Sequence, residues 1–352
     1  MSELFSVVVL TGGPPRSQLS AKCIDSINSQ SYQNIQKILV NNGRPSAEMT
    51  QIIEFKSIDV VNEAENRLQN WEVLSLKDSA FDPLDYTSIW KIPGITALNK
   101  VKGKYLFCLN DDDYLDKDFF SSMSNLFLKY PDAITAFGFP LTCDVKSGKI
   151  SAPKFGSWVN RPEYEDGINL SLNWLKYDRS YHPNPGFSFV VQTKYVRPIQ
   201  EMFFSGGFPD ITALIQIVPF GKTIFNKNAF MYLGRHERQQ RNDWDKENRH
   251  FFTYQKAFTD MLAINLKALH KVNNTNSELE RLVKYYFIYS TIEASFYAIY
   301  PKPYMFFLGQ SIFPKLRIFF YHIFTLIKHP LMFTKVLSKE LRNIRFIKKY
   351  LF

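Results

Sequence analysis

Three short apolar runs in this chain each stop at a cluster of small or polar residues. FSVVVL (Phe5–Leu10) runs into TGGPP, IQKILV (Ile35–Val40) into NNG, and YLFCL (Tyr105–Leu109) into NDDD. A strand apolar at successive positions has to be covered on both faces, as strands of a parallel sheet are. Between the first two runs, Leu19–Ile27 has the apolar spacing L-x-x-x-C-I-x-x-I, which is helical. Strand, loop, helix, strand in that order predicts a parallel α/β sheet with helices on both sides. Ligands of such sheets bind at the carboxyl ends of the strands. The residues that end the three runs, Thr11–Gly13, Asn41–Gly43 and Asn110–Asp113, are therefore the first candidates for function.

The remaining pattern extends this frame. Strands are predicted at 59–61, 71–76, 133–139, 187–191 and 231–233. An amphipathic helix is predicted over 118–130, with Asp118 placed to cap or charge-stabilise its start. Residues 95–101 read as the end of a helix closed by Lys102–Gly103, and 210–217 as a short helix. Residues 150–186 read as irregular, and the pattern from Phe251 onward is helical. With 352 residues, 45% of them hydrophobic, the chain suits one large domain or two smaller ones.

The formal charge of +10 is unevenly spread. From Lys315 to Lys349 there are nine Lys or Arg against one acid, Glu340, so this segment alone carries +8. Its basic residues alternate with Phe, Tyr, Ile and Leu, a pattern suited to an anionic membrane surface. It reads also as a basic helical subdomain packed on the rest of the protein. No nucleic-acid motif accompanies the charge, so no nucleic-acid partner is expected. No apolar stretch reaches the roughly 18 residues of a spanning helix. The start, MSELFSVVVLTGG, carries an acid and enters a strand at once, unlike a secretory leader. The three cysteines have no motif spacing. Cys23 and Cys108 read as small buried hydrophobes, and so sparse a count fits a reducing compartment.

TGGPP lacks the spaced glycines of a dinucleotide fingerprint and the Gly-Lys-Ser/Thr of a P-loop. Its small residues still let backbone approach a ligand closely. Asp111, Asp112 and Asp113 are hard oxygen donors of the kind Mg²⁺ or Mn²⁺ takes, and so few carboxylates would leave room for waters and substrate phosphates. The same triplet reads equally as a solvated turn. Asp210, after Pro209, reads as a helix N-cap or as a proton acceptor. Arg235, His236, Arg238 and Arg241 suit a phosphate or a metal, or form a solvated basic loop. Trp158, Trp174, Tyr177, Tyr181 and His182 supply aromatic faces suited to sugar rings.

Several stretches taken in order resemble the inverting nucleotide-sugar glycosyltransferases of family 2, over roughly residues 5–236. They are FSVVVLT (5–11), CIDSINSQSYQNIQKILVNNG (23–43), KIPGITALNKVKGKYLFCLNDDDYLDKDFF (91–120), NPGFSFVV (184–191), FPDITAL (208–214) and LGRH (233–236). The resemblance implies a GT-A fold, a doubly wound, mainly parallel sheet similar to a Rossmann fold with a small second sheet. It implies a catalytic domain over 1–245, with its nucleotide-binding half at about 1–115 and its acceptor-binding half at about 116–245. A helical, basic, aromatic region follows over 246–352. Implied roles are substrate contacts at Thr11, Gly12, Asn41, Asn42, Asn99, Asn110, Asp111, Gly186, Phe187 and Arg235, a metal on Asp112 and His236, and Asp210 as general base. The family's acidic residues after the second strand and at the first position of its Asp-x-Asp motif are asparagines here, Asn41–Asn42 and Asn110. The implied activity is transfer of a hexose or N-acetylhexosamine from a nucleotide-diphosphate sugar, with UDP favoured and Mn²⁺ or Mg²⁺ as cofactor. The acceptor is a glycan or lipid-linked molecule of surface polysaccharide synthesis. A cytoplasmic protein held at the inner membrane face is the expected setting. The alternatives are a sugar-phosphate nucleotidyltransferase and a non-catalytic carbohydrate- or membrane-binding protein.

Overall fold

A computed structural model describes residues 2–11, 17–42, 67–76, 88–152, 161–175, 189–204, 209–235, 262–271, 276–286 and 326–331, with three isolated helical positions. Among the described residues ten strands form one sheet: β1 (Phe5–Thr11), β2 (Ile35–Asn42), β3 (Trp71–Leu76), β4 (Tyr105–Asn110), β5 (Tyr114–Leu115), β6 (Ala133–Asp144), β7 (Ile150–Ser151), β8 (Tyr164–Asp166), β9 (Phe189–Gln192) and β10 (Lys222–Arg235). The main order is β3-β2-β1-β4-β9-β6-β10-β5. β1, β2, β3 and β4 are mutually parallel, and β9 enters antiparallel between β4 and β6. β10 runs parallel to β6. The carboxyl ends of β1, β2, β3, β4, β6 and β10 therefore share one edge. The small second sheet expected beside the main one is not separate among the described residues: β5, β7 and β8 are short antiparallel strands attached to β10 and β6 in the same sheet.

The doubly apolar runs bury both their faces. Val8 and Leu10 share one core with Ile38, Val40, Leu106 and Cys108, covered by Ala97 and Leu98 of α2 (Ser88–Leu98). Phe5, Val7 and Val9 share the other with Leu39, Phe107 and Leu109. That face is covered by Cys23, Ile24 and Ile27 of α1 (Ser17–Asn28) and by Phe119, Phe120 and Met123 of α3 (Phe119–Lys129). All three cysteines are free and buried, as expected of Cys23 and Cys108.

Four local expectations change. Asp118 makes no side-chain cap on α3. The Asp116 carboxylate accepts from Asp118 N–H at 3.1 Å, and Gln30 Oε1, ninety residues away in sequence, accepts from Phe120 N–H at 3.2 Å. α2 starts at Ser88 and runs through Pro93, where the missing N–H masks the helical pattern. The 231–233 strand is the end of the longer β10, whose pairing with β6 slips between Asn226 and Phe230, so polar residues interrupt the run. The stretch 150–186 contains a helix, α4 (Gly167–Leu175), packed on a 3-10 turn at Val218–Phe220. Gly167 is needed there because a Cβ would run into the Val218 carbonyl oxygen.

After β9 the chain forms α5 (Thr193–Val196), α6 (Gln200–Phe204) and α7 (Pro209–Gln216) before β10. The helical segments 262–271 and 277–286 pack on this side, with Leu269, Leu279, Leu282 and Val283 buried in the same core as Val8 and Phe203. The strand expected at 59–61 lies outside the described residues.

Candidate active site

Register brings the polar strand ends together. Thr11 pairs with Asn41, and Asn41 with Ser75 at the end of β3, so three short polar residues form one row at the carboxyl edge. Asn110 pairs with Leu10, one step behind Thr11. Arg235, exposed at the end of β10, faces Asp144 of β6 on the same edge. Ser75 was not legible as a site residue. Only the pairing of β3 with β2 places it beside Asn41.

The loop after β4 is tied down by its last aspartate. The Asp113 carboxylate accepts from Gly234 N–H at 3.0 Å and from Asn110 Nδ2 at 3.2 Å, and Asp113 N–H donates to Asn110 O at 3.2 Å. Gly234 permits this approach, since a Cβ there would collide with the carbonyl oxygen of Asp112. The lone glycine in LGRH was the available signal for this contact. Asn110 spends its amide nitrogen on Asp113, while its Oδ1 is buried with no hydrogen-bond partner among the described residues. A buried amide oxygen left in that state favours a ligand that donates a hydrogen bond to it.

Asp111 and Asp113 are buried and Asp112 is half-buried. Burial, then the neighbouring Asp112 charge, pushes the Asp113 carboxyl well above the usual carboxylate range, against the pull of its Gly234 and Asn110 bonds. Cys23 of α1 lies beneath this loop, its thiol donating to Asn110 O at 3.5 Å. Burial, then the charges of Asp111, Asp113 and Asp112, pushes that thiol up. The loop is thus a concentration of negative charge that a cation would relieve. Among the described residues no three His, Cys, Asp or Glu side chains gather as a metal site. With Asp113 engaged by Gly234, the donor set fits an ion that takes one oxygen from Asp112 and the rest from water and phosphate, as Mg²⁺ commonly does.

The other expected residues divide into two groups. Asn99 is exposed just after α2, beside Lys100, whose carbonyl accepts from Gln36 near the start of β2. It therefore lies at the amino edge of the sheet, opposite Asn110. The reason is that β4 has yet to cross the sheet between them. Gly12, Gly186, Phe187 and His236 lie outside the described residues, as do Trp158, Tyr177, Tyr181 and His182. Trp174 falls within α4. Asp210 is the second residue of α7. The far end of α7 leads through the Val218–Phe220 turn to the amino end of β10, so Asp210 sits at the helix end away from that turn.

No family model matches the chain, and no curated protein matches it. Solved structures do. A crystal structure of S. aureus TarS residues 1–349 aligns with a TM-score of 0.52 at 13% identity, covering 97% of this chain and 92% of that one. The same fragment in complex with UDP-GlcNAc aligns with a TM-score of 0.52 at 13% identity, covering 91% and 79%. The full TarS structure aligns with a TM-score of 0.50 at 13% identity over 98% of this chain, which spans 55% of TarS. At this identity the likeness is one of fold, and the fold is of GT-A type.

Proposed function

We propose that this protein is an inverting glycosyltransferase. It moves a hexose or N-acetylhexosamine from a UDP-sugar to a glycan or lipid-linked acceptor in surface polysaccharide synthesis. The observation that carries this reading is the polar row Ser75–Asn41–Thr11 beside the Asn110–Asp113 loop, at the edge where sheets of this kind bind ligands. TarS, which shares the fold, has been crystallised with UDP and with UDP-GlcNAc.

In this reading Thr11, Gly12, Asn41 and Asn42 line the nucleoside pocket, and Asn110 Oδ1 accepts from a ribose hydroxyl. Asp112, with His236, holds Mn²⁺ or Mg²⁺, and Arg235 adds positive charge beside the phosphates. When bound, the ion neutralises charge on the departing diphosphate. Asp111, Gly186 and Phe187 complete the donor pocket. Asp210 accepts the proton of the acceptor hydroxyl as it attacks the anomeric carbon from the face opposite the diphosphate, so one displacement inverts the configuration. Residues 1–245 form the catalytic domain, and the segment after them holds the protein to the inner face of an anionic membrane. Among the described residues no helix is long and apolar enough to cross a membrane.

Calorimetric titration with UDP and a panel of UDP-hexoses and UDP-N-acetylhexosamines, with and without Mn²⁺, tests the donor. UDP release and the anomeric configuration of the product test the reaction. Absence of UDP binding with Mn²⁺ present would overturn the reading. Pyrophosphate released from UTP and a sugar phosphate would replace it with nucleotidyl transfer.

A further inference from the structure

The face of α7 that turns into the core carries polar groups where the surroundings are apolar. Thr212 and Gln216, one helical turn apart, are 0% and 1% exposed, and Asn265 of the 262–271 helix is 0% exposed. Around them Ala213, Ile215, Ile217, Phe203 and Leu269 form a continuous hydrophobic cluster. Gln216 Nε2 donates to Asn265 Oδ1 at 2.9 Å and, at 3.4 Å, to the Met202 carbonyl of α6. Thr212 Oγ1 and Gln216 Oε1 are buried with no hydrogen-bond partner among the described residues.

Stability alone does not account for this arrangement. Burying an amide pair and leaving two oxygens unpaired is worse than filling the same space with apolar side chains of similar volume. Apolar contact, however, is non-directional and lets a short helix settle at several axial positions. A hydrogen bond fixes one. α7 is eight residues long and has no ladder of strand hydrogen bonds to hold it. Its last residue is Gln216, and its second is Asp210. Over those six residues a helix rises about 9 Å as a rigid rod, so a shift at Gln216 is carried to Asp210 nearly undiminished.

We infer that Gln216 and Asn265 are positioning residues: their bond anchors α7 to the 262–271 helix and so sets where Asp210 meets the acceptor. The inference rests on the reading of Asp210 as general base. It also gives the helical region beyond the sheet a part in the reaction, although no residue of it need touch substrate.

The test compares Gln216→Met/Asn265→Leu with the reciprocal swap Gln216→Asn/Asn265→Gln, in the full chain. Each variant is measured for its urea midpoint, UDP affinity by calorimetry, and UDP release from the UDP-sugar that the parent turns over fastest. The apolar pair is expected to be at least as stable as the parent. It should bind UDP as tightly and fall about tenfold or more in kcat, since a displacement near 1 Å can cost more than that. The swap keeps both amides and their combined reach, and is expected to recover most of the rate. Turnover of the apolar pair within about threefold of the parent would overturn the inference. So would a lower urea midpoint, or failure to fold, since the contact would then be structural. Asp210→Asn is run alongside. If it leaves turnover intact, the base assignment fails. If it abolishes turnover while the apolar pair does not, only the positioning role fails.

Discussion

At the residue scale the chemistry turns on the carboxylates of the 110–113 loop. Asp113 is engaged by Gly234 and Asn110, and Asp112 is half-buried where Asp111 is buried. Asp112→Ala is expected to lower turnover about 100-fold even at saturating Mn²⁺, and activity within about threefold of the parent would remove it from the metal site. Asp210→Asn keeps the shape but not the proton acceptor, so turnover should fall about 100-fold while UDP affinity holds. Loss of UDP binding, with normal turnover of the bound fraction, would instead make Asp210 part of the donor pocket. The cysteines give a check that needs no substrate. Burial pushes the Cys108 thiol up to about 12, and burial with three nearby aspartates pushes Cys23 up as well. Both should resist iodoacetamide at pH 8 in the native protein and react once it is unfolded. The folded state then holds a proton at Cys108 that the unfolded chain gives up. Stability from this group is complete below the ordinary value of 9.0 and is lost as pH rises toward about 12.

At the element scale the parallel core was open to reading because its strands carry a two-sided apolar signature. The 71–76 strand matches β3, and 5–10 and 105–109 each match a strand to within one residue. The elements that escaped depend on distant partners. α4 rests on the Val218–Phe220 turn, the start of α3 is capped by Gln30, and β10 is interrupted by its slip against β6. The site followed the same division. Thr11, Asn41 and Asn110 lie at the ends of strands that their apolar runs reveal, while Ser75 and Gly234 come beside them only through pairing. Asn99 lies at the amino edge, a placement not legible in the sequence because position in a motif says nothing about which edge of the sheet a residue occupies. Gly234→Ala should therefore act on the loop rather than on β10 itself. The added methyl must push the Asp112 carbonyl away, weakening UDP affinity about tenfold. Unchanged UDP affinity in calorimetry would show that the loop can shift without affecting the donor pocket.

At the scale of the whole molecule, the proposed function assigns catalysis and attachment to different parts of the chain. The segment from Lys315 to Lys349 carries +8 of the total +10. Just within it, Ile327 and Leu331, four residues apart, are 67% and 81% exposed. If this region meets an anionic bilayer, charge reversal at Lys339, Arg342, Arg345, Lys348 and Lys349 should abolish sedimentation with anionic liposomes. Each basic residue near such a surface contributes about 1 kcal/mol. Binding by the parent should weaken but not vanish at high salt. Equal sedimentation of parent and variant, or none by the parent, would reject the membrane role. The bond between Asp113 and Gly234 has a consequence of another kind, because 121 residues separate its ends. A chain emerging from the ribosome completes β1, β2 and β4 long before β10 exists. Until Gly234 has left the exit tunnel, the aspartate loop lacks the bond that ties it to β10 and keeps only local contacts such as those between Asn110 and Asp113. Nascent chains halted before that point should fail to retain UDP, however well their first strands have paired, so the proposed donor site would form late in translation.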